Sequence, residues 1–164
     1  MQKNVVVIGC GYWGKNLVRN FYELGALNGI CDSDARTLSA FKEKYSDIQS
    51  FSKPEYVFNN DAVRGVAISS PAVSHYDLAK KALLAGKDVF VEKPIALTYK
   101  EGGELVKLAD SQKNVLQVGH ILEYHPAMIK LKEMVKAGEL GKIQYIYSNR
   151  LYLGKFRIEE NILW

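Results

Sequence analysis

The chain has 164 residues, with 22 Lys and Arg against 18 Asp and Glu for a net charge of +4, and it is 48% hydrophobic and 24% charged. This composition excludes a disordered or collagen-like chain, and the length permits a core without disulfide or metal staples. No Lys/Arg block is longer than Lys80-Lys81, so the sequence shows no electrostatic footprint for nucleic acid and phosphate-backbone partners are not expected. Cys10 and Cys31 sit inside apolar segments without metal-ligand spacing, which points to a reducing, cytoplasmic setting and to no metal. No run is long enough for a secretion signal or a membrane span, so a soluble protein without membrane partners is expected.

In chain order, short β-rich runs alternate with amphipathic segments. Strand 5–8 precedes helix 13–24, 27–31 precedes 35–45, 65–68 precedes 74–85, and 89–91 precedes 99–111. A sixth strand at 115–118 and a helix at 126–137 follow; counting 65–68 as the fourth strand leaves the third without an assigned range. The rhythm predicts a parallel sheet in an α/β, doubly wound Rossmann fold. Leu17, Phe21 and Leu24, and likewise Leu78, Ala82 and Ala85, are spaced to face a sheet. Gly25, Gly86 and Gly138 stand where helices should end in a left-handed residue, and Thr98 with Glu101 has capping-box spacing. The alternating stretch KIQYIYSNRLYLG from Lys142 reads as one half-exposed strand, spanning 143–153, of an antiparallel sheet. We therefore expect a dinucleotide-binding domain over 1–138 and, over 139–164, the start of a truncated C-terminal substrate and oligomerisation domain, with homo-oligomer formation through its sheet.

Gly9, Gly11 and Gly14 form GxGxxG between the first strand and the first helix. In that setting the glycines permit a tight turn, close approach of a pyrophosphate to the backbone, and close helix–strand packing, while the helix N-terminus faces the phosphates. Asp32, where the second strand ends, can accept hydrogen bonds from ribose hydroxyls and repel a 2′-phosphate, favouring NAD over NADP. The bland alternative for Asp32 is a helix cap, which Ser33 or Asp34 could supply equally well, and Arg36 leaves room for NADP. Ser69-Ser70-Pro71 and Glu92-Lys93-Pro94 close two further strands at the carboxyl edge, where open α/β sheets bind ligands.

The glycine segment 9–14, Ser70-Pro71 followed by His75, and Ala85 to Val89 running into Glu92-Lys93-Pro94 together resemble the Gfo/Idh/MocA family of NAD(P)-dependent sugar oxidoreductases. Segments 119–126, 145–151 and 159–164 are similar to its WlbA-like branch, which oxidises C3 of UDP-N-acetylglucosamine-type uronic acids in surface-polysaccharide assembly. The resemblance implies NAD contacts from Gly9, Gly11, Tyr12, Trp13, Gly14, Asp32, Ser33, Ser69, Ser70, Pro71, His75, Glu92 and Lys93. It implies that Glu92 holds the nicotinamide ribose and that Lys93, the catalytic residue, hydrogen-bonds the hydroxyl being oxidised. It also implies a sugar-nucleotide substrate, touched by Lys93, His120, Tyr124, Asn149 and Arg150, and a general-base histidine from a motif beyond Trp164.

His75 can equally be a helix cap, His120 a structural residue, His125 is expected to be structural, and the series Tyr145, Tyr147 and Tyr152 reads as packing surface as readily as a substrate wall. The alternatives to a nucleotide-sugar dehydrogenase are another inositol or sugar dehydrogenase and a non-catalytic NAD-binding module.

Overall fold

The computed structural model describes residues 3–149 and Leu151. Six parallel strands, β1 (Val5–Ile8), β2 (Leu27–Cys31), β3 (Gln49–Phe51), β4 (Gly65–Ile68), β5 (Asp88–Val91) and β6 (Leu116–Val118), form one sheet in the order β3-β2-β1-β4-β5-β6. The helices are α1 (Gly14–Glu23), α2 (Ala35–Lys44), α3 (Pro54–Phe58), α4 (His75–Leu84), α5 (Tyr99–Gln112) and α6 (Pro126–Lys136). Strand order reverses between β1 and β4, which opens a crevice at the carboxyl ends of those strands.

Strand alternation divides the core into two layers. Val6 and Ile8 of β1, Val66 and Ile68 of β4, and Val89 and Val91 of β5 pack with residues of α3, α4 and α5. Val7, Ile30 and Ala67 face the other way, with Leu17 and Val18 of α1 and with Leu38 and Phe41 of α2. A side-chain period of two, buried on both faces, accounts for the continuously apolar strands. Each fully buried Val, Leu or Ile contributes about 1.5–3 kcal/mol relative to exposure.

The predicted terminators hold: Gly25, Gly86 and Gly138 have φ of 66°, 72° and 76°. Thr98 and Glu101 make a reciprocal capping box at α5. The stripe assigned to α4 needs correction, because its buried residues are His75, Ala79, Ala82 and Leu83, whereas Ala85 is exposed. Leu24 of the α1 stripe is also exposed, since it lies at the C-cap.

Two compact units divide between Gly119 and His120. The first holds the sheet and both core layers. The second contains α6, which has no buried residue. Residues 143–149 are irregular and exposed rather than the expected strand, because alternation gives a strand only where another strand satisfies its backbone groups. The rest of that expected strand, with Tyr152, lies outside the described residues. Among the described residues no helix is long and apolar enough to cross a membrane.

At the amino edge of the sheet, Lys87 is 7% exposed and its Nζ donates to the carbonyls of Asn60 at 2.9 Å and Val63 at 2.8 Å. Lys87→Met leaves both acceptors without this donor and should lower unfolding free energy by about 1–3 kcal/mol in urea titration. Cofactor affinity should stay unchanged, as this edge is opposite the crevice.

Candidate functional site

The crevice is built from four strand ends. Gly9, with φ of 85°, turns the chain out of β1; a Cβ there would lie 2.6 Å from the Ser70 nitrogen. A Cβ on Gly14 would lie 1.9 Å from the Gly9 carbonyl oxygen, and the Ser69 hydroxyl donates to that same oxygen at 2.6 Å. The β1–α1 turn and the start of the β4–α4 loop are thus in direct contact.

Gly11 differs from Gly9 and Gly14. Nothing lies within 4 Å of a Cβ placed on it, so protein packing does not explain its missing side chain. No side chain caps α1, and its first turn carries no acidic residue. An open glycine beside an uncapped helix N-terminus suits a pyrophosphate, which needs close backbone approach and a positive dipole end.

Asp32 lies just past β2. Its Oδ2 accepts from the Cys10 backbone N–H at 2.8 Å and its Oδ1 from the Asp34 N–H at 2.9 Å. Asp34 is the N-cap of α2, accepting from the Arg36 backbone N–H. Asp32 is therefore not the cap, and Ser33 is an exposed residue between the two acids. Cys10 and Cys31 are free and buried; burial first, then the Asp32 charge, pushes both thiols up to about 12, so they stay protonated and poorly nucleophilic at neutral pH.

Glu92 and Lys93 follow β5. The Trp13 indole Nε1–H donates to Glu92 Oε1 at 2.6 Å, joining the glycine loop to the acid across the crevice. Gly119 permits this placement, because its Cβ would come within 2.9 Å of Glu92 Oε1. Lys93 is exposed and has no hydrogen-bonding or ionic partner among the described residues. The Lys93-Pro94 bond is cis.

Tyr12 is 71% exposed, with the Lys15 ammonium 5.3 Å from its ring centroid. The Ser70 hydroxyl is bonded to that of Ser74 at 2.7 Å, and Pro71 is exposed beside it. His75 is not a cap: it is 2% exposed, with Nδ1 2.7 Å from the Pro94 carbonyl oxygen and Nε2 2.8 Å from that of Ser70.

In the second unit His120 is exposed ahead of a 3-10 turn, Ile121–Tyr124, and Tyr124 and Asn149 are exposed too. His125 caps α6, its Nδ1 accepting from the Ala127 N–H, in keeping with the structural role expected of it. Arg150 lies outside the described residues.

The match to known proteins agrees with this geometry. The profile of the Gfo/Idh/MocA oxidoreductase family, with its NAD-binding Rossmann fold, covers residues 3–120. The chain belongs to that family. It is 29% identical over 145 residues to UDP-N-acetylglucosamine 3-dehydrogenase of Acidithiobacillus ferrooxidans, covering 88% of this chain and 44% of that one. It is 31% identical over 156 residues to a scyllo-inositol 2-dehydrogenase (NAD(+)) of Bacillus subtilis, covering 88% and 43%. A solved structure of the A. ferrooxidans enzyme superimposes with a TM-score of 0.73 at 27% identity, over 79% of this chain and 42% of that one. The chain spans less than half the length of these relatives.

NAD is the family's cofactor. Gly11 and the α1 N-terminus would take its pyrophosphate, and Asp32 and Glu92 offer acceptors for its ribose hydroxyls.

The glycines should separate by experiment. Gly11→Ala should leave the melting temperature nearly unchanged and weaken NAD binding at least tenfold, whereas Gly14→Ala, with its clash against backbone, should destabilise the fold by about 1–3 kcal/mol. Calorimetry of both kinds, thermal and titration, checks the pair.

Proposed function

We propose that this chain is the cofactor-binding part of a dehydrogenase that prefers NAD to NADP and oxidises a ring CH–OH of a sugar nucleotide, C3 of a UDP-N-acetylglucosamine-type uronic acid, in surface-polysaccharide biosynthesis. The supporting observation is the ring of side chains at the carboxyl edge, in which Asp32 and Glu92 stand on opposite sides of the glycine loop and Lys93 is left without a partner.

Bound NAD supplies the hydride acceptor. Asp32 accepts from ribose hydroxyls through the lone pairs not used by the Cys10 and Asp34 N–H groups, and its charge opposes a 2′-phosphate. Glu92, held at Oε1 by Trp13, keeps Oε2 for the ribose next to the nicotinamide. Lys93 donates to the substrate hydroxyl and stabilises the negative charge that develops on its oxygen as the C–H bond breaks. A general base must accept the hydroxyl proton, and in the family's pattern it is a histidine beyond an Asn-x-x-Trp segment such as 161–164.

The substrate class draws its support from the relative named UDP-N-acetylglucosamine 3-dehydrogenase. The relative named scyllo-inositol 2-dehydrogenase favours a second reading, a cyclic polyol substrate with the same cofactor chemistry. Nicotinamide reduction with UDP-N-acetylglucosaminuronic acid and with scyllo-inositol, side by side, distinguishes them. Reduction by neither, together with NAD binding, would favour a non-catalytic NAD module.

Two substitutions test the assigned roles. Asp32→Ser combined with Ser33→Arg should move the preference toward NADP; equal affinities of the unaltered chain for both cofactors would remove Asp32 as the selector. In protein that turns over, Lys93→Met should lower kcat by roughly two to three orders of magnitude while the Kd for NAD stays within about twofold. Near-normal turnover would take Lys93 out of the chemistry.

A further inference from the structure

His75 is a buried titratable group that the proposed chemistry leaves unused, and it lies between the loops of the crevice. Both of its ring nitrogens lie at hydrogen-bonding distance from carbonyl oxygens, Nδ1 to Pro94 at 2.7 Å and Nε2 to Ser70 at 2.8 Å. A carbonyl oxygen only accepts. A neutral imidazole carries one N–H and one lone pair, so either tautomer would set a lone pair against an oxygen on one side. The ring is 2% exposed, which leaves little access for solvent to intervene. An imidazolium, with an N–H on each nitrogen, satisfies both contacts.

The two carbonyls belong to the two loops that frame the crevice. Ser70 follows the residue bonded to Gly9, and Pro94 follows Lys93. We propose that His75 is a positioning residue: as an imidazolium it ties the β4–α4 loop to the Glu92-Lys93-Pro94 turn and so fixes where Glu92 and Lys93 stand. The inference rests on the reading that those two side chains serve cofactor and substrate.

No carboxylate is among the ring's hydrogen-bonding partners. Of the ionisable groups on neighbouring segments, Glu92 is bonded to Trp13, Asp88 to Arg64, and Lys81 to Glu55. Lys80 and Glu104 pair with each other, and Glu101 is bonded within its capping box. Asp77, Lys93 and Lys100 are exposed. The clamp is complete while the ring is doubly protonated. A neutral ring has a single N–H and keeps only one of the two carbonyls, so the tie and the positioning it provides belong to the doubly protonated form.

The test follows the His75 ring nitrogens and the Glu92 and Lys93 amides by 15N NMR in the cofactor-free 164-residue chain between about pH 5 and 9, and measures NAD affinity across the same range. The expected result is two protonated ring nitrogens at the acid end, amide shifts at Glu92 and Lys93 that track the ring, and a fall in NAD affinity of about tenfold through the same midpoint. His75→Gln, which retains amide donors without a titrating ring, should abolish that step in affinity. A single neutral tautomer throughout, or ring titration without movement of Glu92 and Lys93, overturns the clamp. NAD binding of pH-independent affinity with static amides overturns the clamp and leaves the cofactor reading intact. Coupled amides in a chain that binds no NAD do the reverse.

Discussion

The contact on which the site depends is the approach of the β1–α1 turn to the β4–α4 loop. The Gly9 carbonyl receives the Ser69 hydroxyl, while Gly9 and Gly14 have no Cβ to hold the backbones apart. This contact is made at the point where strand order reverses, so it sets both the width of the crevice and the height of the α1 N-terminus above it. The other site contacts are built on it. Cys10 can donate to Asp32 because the turn is tight, and Trp13 can reach Glu92 because α1 begins close to the sheet.

The two edges of the sheet use polar groups differently. At the amino edge, Asp88 is bonded to Arg64, Asn114 and the Val115 backbone, and burial opposes but does not outweigh those bonds, which hold its carboxyl below the usual carboxylate range. Lys87 is likewise spent on two carbonyls. These groups secure loops. At the carboxyl edge Lys93 is unpaired among the described residues and the Gly11 backbone is open, so the chain keeps its unused polar capacity where four loops converge.

Much of the sheet was legible in the sequence because strands buried on both faces must be continuously apolar, and because glycines and a capping box mark where helices stop and start. β3 was not legible: Gln49–Phe51 is three residues long with no apolar run, and it is recruited as an edge strand by β2. The five-residue α3 is too short to display a helical period. In the tail, alternation from Ile143 resembled a strand, yet sequence alone could not say whether a neighbouring strand would be there to pair with it.

Within the site, GxGxxG and Asp32 were legible because local chemistry constrains them: a tight turn and an acid at a strand end. The Trp13–Glu92 bond joins residues 79 positions apart and leaves no trace that a pattern could show before the fold is known. The same holds for His75. With Ala79, Ala82 and Leu83 it occupies the buried stripe of α4, whereas the predicted stripe of Leu78, Ala82 and Ala85 did not include it, so its burial emerged only with the fold. A buried imidazole must find partners for its nitrogens.

The acids at the crevice are preorganised in different ways, and this bears on what NAD would encounter. Asp32 is held through both oxygens by backbone N–H groups, and each oxygen keeps a further lone pair for a ribose hydroxyl. Glu92 is held through one oxygen by a side chain that is itself 40% exposed. Asp32 is thus fixed by the fold, whereas Glu92 depends on a Trp13 rotamer from one side and on its own turn from the other. Cofactor contacts at Asp32 add to a carboxylate already in place, with little ordering left to do. Any ligand contact at Glu92 would carry the cost of settling that indole and that turn, so the Glu92 side of the crevice is where small changes in the surrounding loops will be felt most.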